Sequence, residues 1–274
     1  MEGIDPKLLK DKVAWVTASA RGLGRAIAER LARNGALIVV HSRSDTTPAE
    51  FGEATSTRHV AEEISALGNP VTTVFADLAD PEQVKAAVNQ IENDVGPIDL
   101  LVNNAGGDIA AQGGKPEPND AFGISPEDVR SIVDRNLITT VNCCREVVPA
   151  MIRRGIGRIV NIGSVAGFIG RSEGVLYAAA KAAQANYTRG LASQLREHNI
   201  TVNMVAPGGS LSARFIATRQ GEPELLEASG RPTLLRYATP DEIAAAVQFF
   251  VSPLAGFVSG QILRVDGASQ LCAA

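Results

Sequence analysis

The sequence has 274 residues, 45% of them hydrophobic and 20% charged, with a formal net charge of −4 and a pI near 5.5. That is the composition of a soluble chain with a sizeable core, and it lacks the basic block or stripe that nucleic acid requires. No run nears the ~18 apolar residues of a membrane span, the charged N-terminus carries no apolar signal core, and Cys143, Cys144, Cys272, His41, His59 and His198 make neither a disulfide framework nor a metal spacing, so a cytoplasmic protein without metal is expected.

In chain order, Val13 to Thr17 reads as a buried strand and Leu23 to Asn34 as an amphipathic helix ended by Gly35. The TASARGLG segment between them predicts a phosphate cradle, because free backbone N–H groups and the helix dipole point at the same spot. A second strand, Ala36 to His41, is followed by Ser42-Arg43-Ser44, with no carboxylate until Asp45. An acidic side chain there would accept from a ribose 2′-hydroxyl and repel a 2′-phosphate. An arginine fork flanked by hydroxyls suits the phosphate, and Arg21 can close on it, so NADP(H) is preferred over NAD(H).

Residues 45–56 read as a polar surface excursion that can touch the adenosine end of a cofactor. A helix follows over 59–67, then a third strand over 71–76 closed by Asp77-Leu78, and a helix from Pro81 to about Val95. The fourth strand, Asp99 to Val102, ends in Asn103-Asn104-Ala105-Gly106-Gly107. Small residues there let the backbone pass close to a flat ligand, and the asparagine amides can tie the strand end to its neighbours. After a Gly/Pro-rich loop, Ser125 caps a helix with Pro126 at its first turn and Asp128 in the place of a capping-box glutamate. This helix carries Asn136 and runs on towards Met151.

Arg158 to Ile162 is a short apolar strand stopped by Gly163, which sets Ser164 at its carboxyl end, where ligands bind in open α/β sheets. Tyr177 and Lys181 stand four apart in an Ala-rich helix running from about Val175 to His198, and so share one face a turn apart. A cation beside a phenol favours its ionised form, and a serine hydroxyl can hold a substrate oxygen against it, which suggests acid–base chemistry on a carbonyl or alcohol. Thr201 to Val205 is a sixth strand broken by Pro207-Gly208. The polar, patchy segment at about 209–237 reads as a lid, Thr239 caps a final helix through Val251, and Gln261 to Val265 is the last strand. Alternating strands and helices with no linker or repeat predict one α/β domain, a doubly wound seven-stranded parallel sheet with helices on both faces.

From Lys12 to Gly267 these motifs, in this order, resemble the short-chain dehydrogenase/reductase family, in its 3-oxoacyl-reductase-like branch with a Rossmann fold. The resemblance implies that Tyr177 is the general acid for carbonyl reduction and the base for alcohol oxidation. Lys181 would lower its pKa and bind the nicotinamide ribose, Ser164 would hold the substrate oxygen, and Asn136 would support a water linking Lys181 to solvent. It further implies that the backbone around Ser19, Arg21, Gly22, Leu23 and Gly24 meets the cofactor phosphates, with Thr17 among the cofactor-binding residues and Ser42, Arg43 and Ser44, read above, at the adenosine end. Asp77 and Leu78 would flank the adenine, Asn104, Ala105 and Gly106 would line the cofactor, and Pro207 and Gly208 would border the nicotinamide. The chain departs from the family at Ala18, where the loop normally opens with glycine, at Ser212 in place of a threonine, and in longer loops at 45–56 and 108–119.

The expected function is hydride transfer between NADP(H) and a carbonyl or alcohol. The alternatives are a catalytically silent nucleotide-binding regulator, an NAD-dependent dehydrogenase of a cyclic or secondary alcohol, and redox chemistry within an epimerisation or dehydration. Residues 107–110, 165–171 and 211–219 are candidate substrate contacts, and Arg171, Arg214 and Arg219 could attract an anionic substrate. Related enzymes commonly form tetramers, and Val258 to Leu271 is apolar enough for a subunit contact.

Overall fold

Strand positions follow from burial on both faces. In the computed structural model, which describes residues 8–218, 223–228 and 231–271, the strands are β1 (Val13–Val16), β2 (Leu37–Ser42), β3 (Val71–Phe75), β4 (Leu100–Asn103), β5 (Gly157–Ile162), β6 (Ile200–Pro207) and β7 (Ile262–Val265). They pair in parallel in one sheet of order β3-β2-β1-β4-β5-β6-β7. The order reverses direction between β1 and β4, so their carboxyl ends part and open a crevice.

The helices are α1 (Gly22–Arg33), α2 (Thr57–Ser65), α3 (Pro81–Asp94), α4 (Pro126–Val133), α5 (Thr139–Arg154), α6 (Val175–Leu195), α7 (Ala213–Thr218), α8 (Pro223–Glu227) and α9 (Pro240–Val251). Successive strand residues feed opposite cores. Ala14, Val16, Ile38, Val40 and Val102 pack with Ile27 and Leu31 of α1, Ile64 of α2 and Val247 of α9. Val13, Trp15, Val39, Leu101 and Ile159 pack with Val88 and Ile91 of α3, Val147 and Met151 of α5 and Leu195 of α6. This alternation, with apolar residues on both sides, is why the strands read as continuous hydrophobic runs.

Helix starts follow their caps. Asp80 accepts from the Glu82 and Gln83 amides ahead of α3, and Thr239 and Glu242 form a full capping box on α9. Ser125 caps α4 through the Asp128 amide. The Asp128 carboxylate, a methylene shorter than glutamate, accepts instead from the Ala111 N–H at 2.7 Å and so anchors the 108–119 loop. The helix expected to run unbroken through Asn136 is divided by a π turn, Asp134–Ile138, a feature that gathers at functional sites. Two short helices, α7 and α8, stand where only irregular structure was expected. Arg219, Cys272 and residues 1–7 lie outside the described residues.

Candidate active site

A cavity of about 870 Å³ opens at the carboxyl ends of the strands, between the α1 N-terminus, the β4 end, α6 and the 209–215 segment. Ser164 follows β5 and accepts from the Ala166 amide at 3.2 Å, capping a short 3₁₀ turn, Val165–Phe168. That turn sits directly on α6. A Cβ on Gly167 would lie 2.9 Å from the Ala182 nitrogen and the Lys181 carbonyl carbon, so only glycine lets Ser164 and Tyr177 share the cavity wall.

Lys181 is buried. Its Nζ donates to the Ile162 carbonyl at 2.8 Å and to Gln184 Oε1 at 3.2 Å, and lies 5.9 Å from the Tyr177 ring centroid. Burial lowers its pKa to about 7. Asn136, fully buried, donates to the Gly107 and Ile132 carbonyls at 2.9 and 2.8 Å and accepts from the Gly107 amide at 2.8 Å. A Cβ on Gly106 would stand 2.7 Å from Asn136 Oδ1 and 3.2 Å from Lys181 Nζ, so the two side chains meet over a backbone that must be bare. Ser164, Tyr177 and Lys181 therefore share one cavity wall, and Asn136 is buried behind the Gly106-Gly107 backbone beside them.

The predicted cradle divides by direction. Arg21, Gly22 and Leu23 line the cavity. Thr17 and Ser19 are buried with their hydroxyls spent inside the protein. Thr17 Oγ1 donates to the Val102 carbonyl and accepts from the Asn104 and Ala105 amides, while Ser19 Oγ donates to the Val16 carbonyl and accepts from the His41 amide. These two hold the loop; they do not meet a phosphate through their side chains. Gly24 is likewise interior, and a Cβ there would strike the Ala18 carbonyl oxygen and the Asn104 amide nitrogen. Asn104 donates to the Thr17 and Ala18 carbonyls, joining the ends of β1 and β4, while Ala105 and Gly106 line the cavity.

Ala18 adopts φ +51° despite its methyl, a conformation that costs an L-residue roughly 1–2 kcal/mol. His41 holds it there. Its Nδ1 accepts from the Ala18 N–H at 2.9 Å, which leaves the Nε2 hydrogen to donate to the Ala76 carbonyl at 3.1 Å. Burial pushes its pKa down to about 4. The sequence marked His41 only as a strand residue; its one signal was an imidazole at the end of an apolar run.

At the adenosine end, Ser42, Arg43, Asp77 and Leu78 line the cavity. Ser42 Oγ donates to the Ser44 carbonyl at 2.7 Å and Ser44 is exposed, its hydroxyl turned to Thr46 and Thr47, so of this trio Arg43 is the side chain left to the cavity. Arg21 was expected to close on the same group. Its Nη1 instead meets Glu50 Oε2 at 3.0 Å. Glu53 from the same loop accepts from the Gly22 N–H at 2.8 Å, and Arg25 grips the Glu53 carbonyl. The 45–56 loop thus carries two carboxylates onto the donors predicted for phosphate. The Glu53 carboxylate is an internal stand-in anion at the α1 N-terminus, and it shows that these donors are disposed to take an oxyanion, as a dinucleotide's phosphate would require.

Pro207 and Gly208 line the opposite wall, where the segment expected to act as a lid begins. Gly209 packs under the Tyr237 ring, which meets Phe215 edge to face at 4.9 Å. Arg214 donates to the Asp108 carbonyl at 3.1 Å, Asn119 donates to Asp108 Oδ2 at 2.8 Å, and the Asn119 carbonyl accepts from Gly174 at the start of α6. The second long loop therefore fastens α7 to the helix bearing Tyr177. Arg171, Arg214 and Lys115 also line the cavity.

Residues 12–223 match the family described as short chain dehydrogenase. The chain is 38% identical over 270 residues to a cyclohexanol dehydrogenase of Rhodococcus sp. (strain TK6), covering 94% of this chain and 96% of that one. It is 35% identical to a 3-oxoacyl-acyl-carrier-protein reductase of Haemophilus influenzae, covering 96% and 100%. A solved 7α-hydroxysteroid dehydrogenase complexed with NADH and 7-oxo glycochenodeoxycholic acid superposes with a TM-score of 0.83 at 31% identity, over 97% of each chain. The fold, the convergent site and these likenesses agree: the chain belongs to the short-chain dehydrogenase/reductase family, on its 3-oxoacyl-reductase-like branch, a family of oxidoreductases that use a nicotinamide cofactor.

Proposed function

We propose that the protein is an NADP(H)-dependent oxidoreductase that interconverts a small-molecule carbonyl and alcohol. The observation that carries this reading is the convergence of Ser164, Tyr177 and Lys181 on one cavity beside the cradle, with Asn136 buried behind the Gly106-Gly107 backbone that lines it. Bound at the cradle, the nicotinamide cofactor supplies or accepts the hydride. Ser164 donates a hydrogen bond to the substrate oxygen and holds it against Tyr177. The Tyr177 hydroxyl gives its proton to that oxygen in reduction and takes it back in oxidation. Lys181 hydrogen-bonds the nicotinamide ribose and in its charged form favours the Tyr177 phenolate, and Asn136 fixes the Gly107 backbone beside them. The lid, at about 209–237, excludes water over this centre.

Arg43 on the cavity wall, with no carboxylate on β2 itself, supports NADP(H). A second reading, an NAD-dependent dehydrogenase of a cyclic or secondary alcohol, is favoured by Glu50 and Glu53 at the adenosine end and by the likeness to the cyclohexanol dehydrogenase and the NADH-bound steroid dehydrogenase. A turnover screen with both cofactors against ketones, 3-oxoacyl thioesters, quinones and cyclohexanol tests the pair. NADPH is expected to bind more tightly than NADH, and Arg43→Asp to reverse the order; an equal or tighter fit for NADH in the wild type selects the second reading. Tyr177→Phe is expected to lower turnover by at least ~100-fold, and a loss under tenfold refutes the role of Tyr177. We assign the protein to the cytoplasm as a homotetramer. Exposed Leu254, Phe257 and Leu271 around the last strand support a subunit contact there, which sedimentation of the full chain tests.

A further inference from the structure

Gln184 is fully buried, one helical turn beyond Lys181 on the same face of α6. A primary amide in the interior is costly unless both ends are bonded, and both are. Its Oε1 accepts from Lys181 Nζ at 3.2 Å, and its Nε2 donates to Thr140 Oγ1 of α5 at 2.7 Å. The orientation is forced, since an ammonium only donates and must face the amide oxygen. The hold extends further. The Gln184 carbonyl accepts from Thr188 Oγ1, which accepts from Asn161 Nδ2, and Asn161 Oδ1 accepts from Asn103 Nδ2, linking α6 to β5 and β4.

We propose that Gln184 is a positioning residue for the reaction, fixing the Lys181 ammonium below Tyr177 through its amide oxygen and anchoring that hold to α5 through Thr140. Nζ has three hydrogens. One goes to the Ile162 carbonyl of β5 and one to Gln184, which leaves a third for the cavity that Lys181 and Tyr177 line. Gln184 and the Ile162 carbonyl are thus the acceptors that favour the charged form of the buried amine. Tyr177 on α6 is the titratable group beside it, and the charged groups elsewhere on the same cavity include Asp134 and Arg135 flanking Asn136, Asp108 after the β4 end, Arg214 and Arg21. None of them offsets the cost of burial, which alone lowers the Lys181 pKa to about 7. Removing one neutral acceptor from such an amine lowers its proton affinity further.

The inference rests on the reading of Tyr177 as acid and base, and its test separates the two. In cofactor-free protein with ¹³C-labelled lysine, the Lys181 signal, assigned through Lys181→Arg, is titrated by NMR. Gln184→Met, which keeps the shape and removes the amide, is expected to lower the midpoint by ~1 pH unit. Thr140→Val, which loosens the anchor and leaves Gln184 in place, is expected to shift it the same way by less. In cyclohexanol oxidation with NADP⁺ the rising limb of kcat against pH moves up by a similar amount in Gln184→Met, with KM for NADP⁺ within about twofold. A merely structural role would lower Tm and leave both midpoints unmoved, and unmoved midpoints overturn the proposal. If Gln184→Met does not fold, the Lys181 midpoint in Thr140→Val decides in the same way: a downward shift supports the hold, and an unmoved midpoint overturns it. If Tyr177→Phe keeps its activity while the Lys181 midpoint shifts, the hold on Lys181 stands and the acid–base reading falls, and with it the catalytic meaning of Gln184.

Discussion

His41 ties the stability of the cofactor cradle to pH. Its ring is neutral in the fold because Nδ1 must accept from the Ala18 N–H and because burial removes the water an imidazolium would need. A lowering from 6.5 to about 4 corresponds to ~3 kcal/mol between the two protonation states. The unfolded chain takes up a proton near pH 6.5 and the folded chain near 4, so the contribution is complete above pH 6.5 and is lost as the pH falls towards 4. At pH 5 about 2 kcal/mol should already be gone. His41→Gln keeps a donor and an acceptor but does not titrate, and every other group is common to both proteins. Urea unfolding can be followed by fluorescence of Trp15, the single tryptophan, which stands edge-on to the His41 ring at 6.2 Å. The wild type should lose ~2 kcal/mol relative to His41→Gln between pH 7.5 and 5. Parallel curves for the two proteins across that range would refute the buried, neutral imidazole and the tautomer assigned to it.

Glu53→Gln should strengthen NADPH binding about two- to fivefold, because the variant no longer sets a charge on the Gly22 N–H at the α1 N-terminus; fluorescence titration measures it, and weaker binding would mean that Glu53 contacts the cofactor itself. Ala18→Gly should raise stability by ~1 kcal/mol and Tm by about 2–4 °C, since glycine takes φ +51° without the methyl penalty. Calorimetry at pH 7.5 tests this, and an unchanged or lower Tm would count against strain at that turn.

The parts legible in the sequence are those that a local rule governs. Val13–Val16 and Leu37–Ser42 announced themselves because a strand covered on both faces must be apolar throughout. Tyr177 and Lys181 were readable because helical spacing alone sets them on one face. Thr239 and Glu242 gave α9 its start to the residue. The failures came where no period applies. Between β1 and α1 nothing in the order of residues says that Thr17 and Ser19 turn inward and Arg21 outward; that follows from the turn Ala18 makes on His41, 23 residues away. The contact of Glu53 with Gly22 spans 31 residues, and that of Arg214 with Asp108 spans 106, between segments whose composition does not say that they meet.

The 45–56 loop holds the donors at one end of the cavity with Glu50 and Glu53, and the 108–119 loop fastens α7 and α6 at the other through Asp108, Asn119 and Ala111. Ser164, Tyr177 and Lys181, the residues proposed to react, sit just past β5 and on α6, elements whose packing against two cores leaves little freedom. The chemistry is therefore built into the part of the chain that the sheet fixes. On the proposed function, access to it and the choice of nucleotide and substrate would depend on two loops held by a few hydrogen bonds and ion pairs, each far weaker than the core that supports the site.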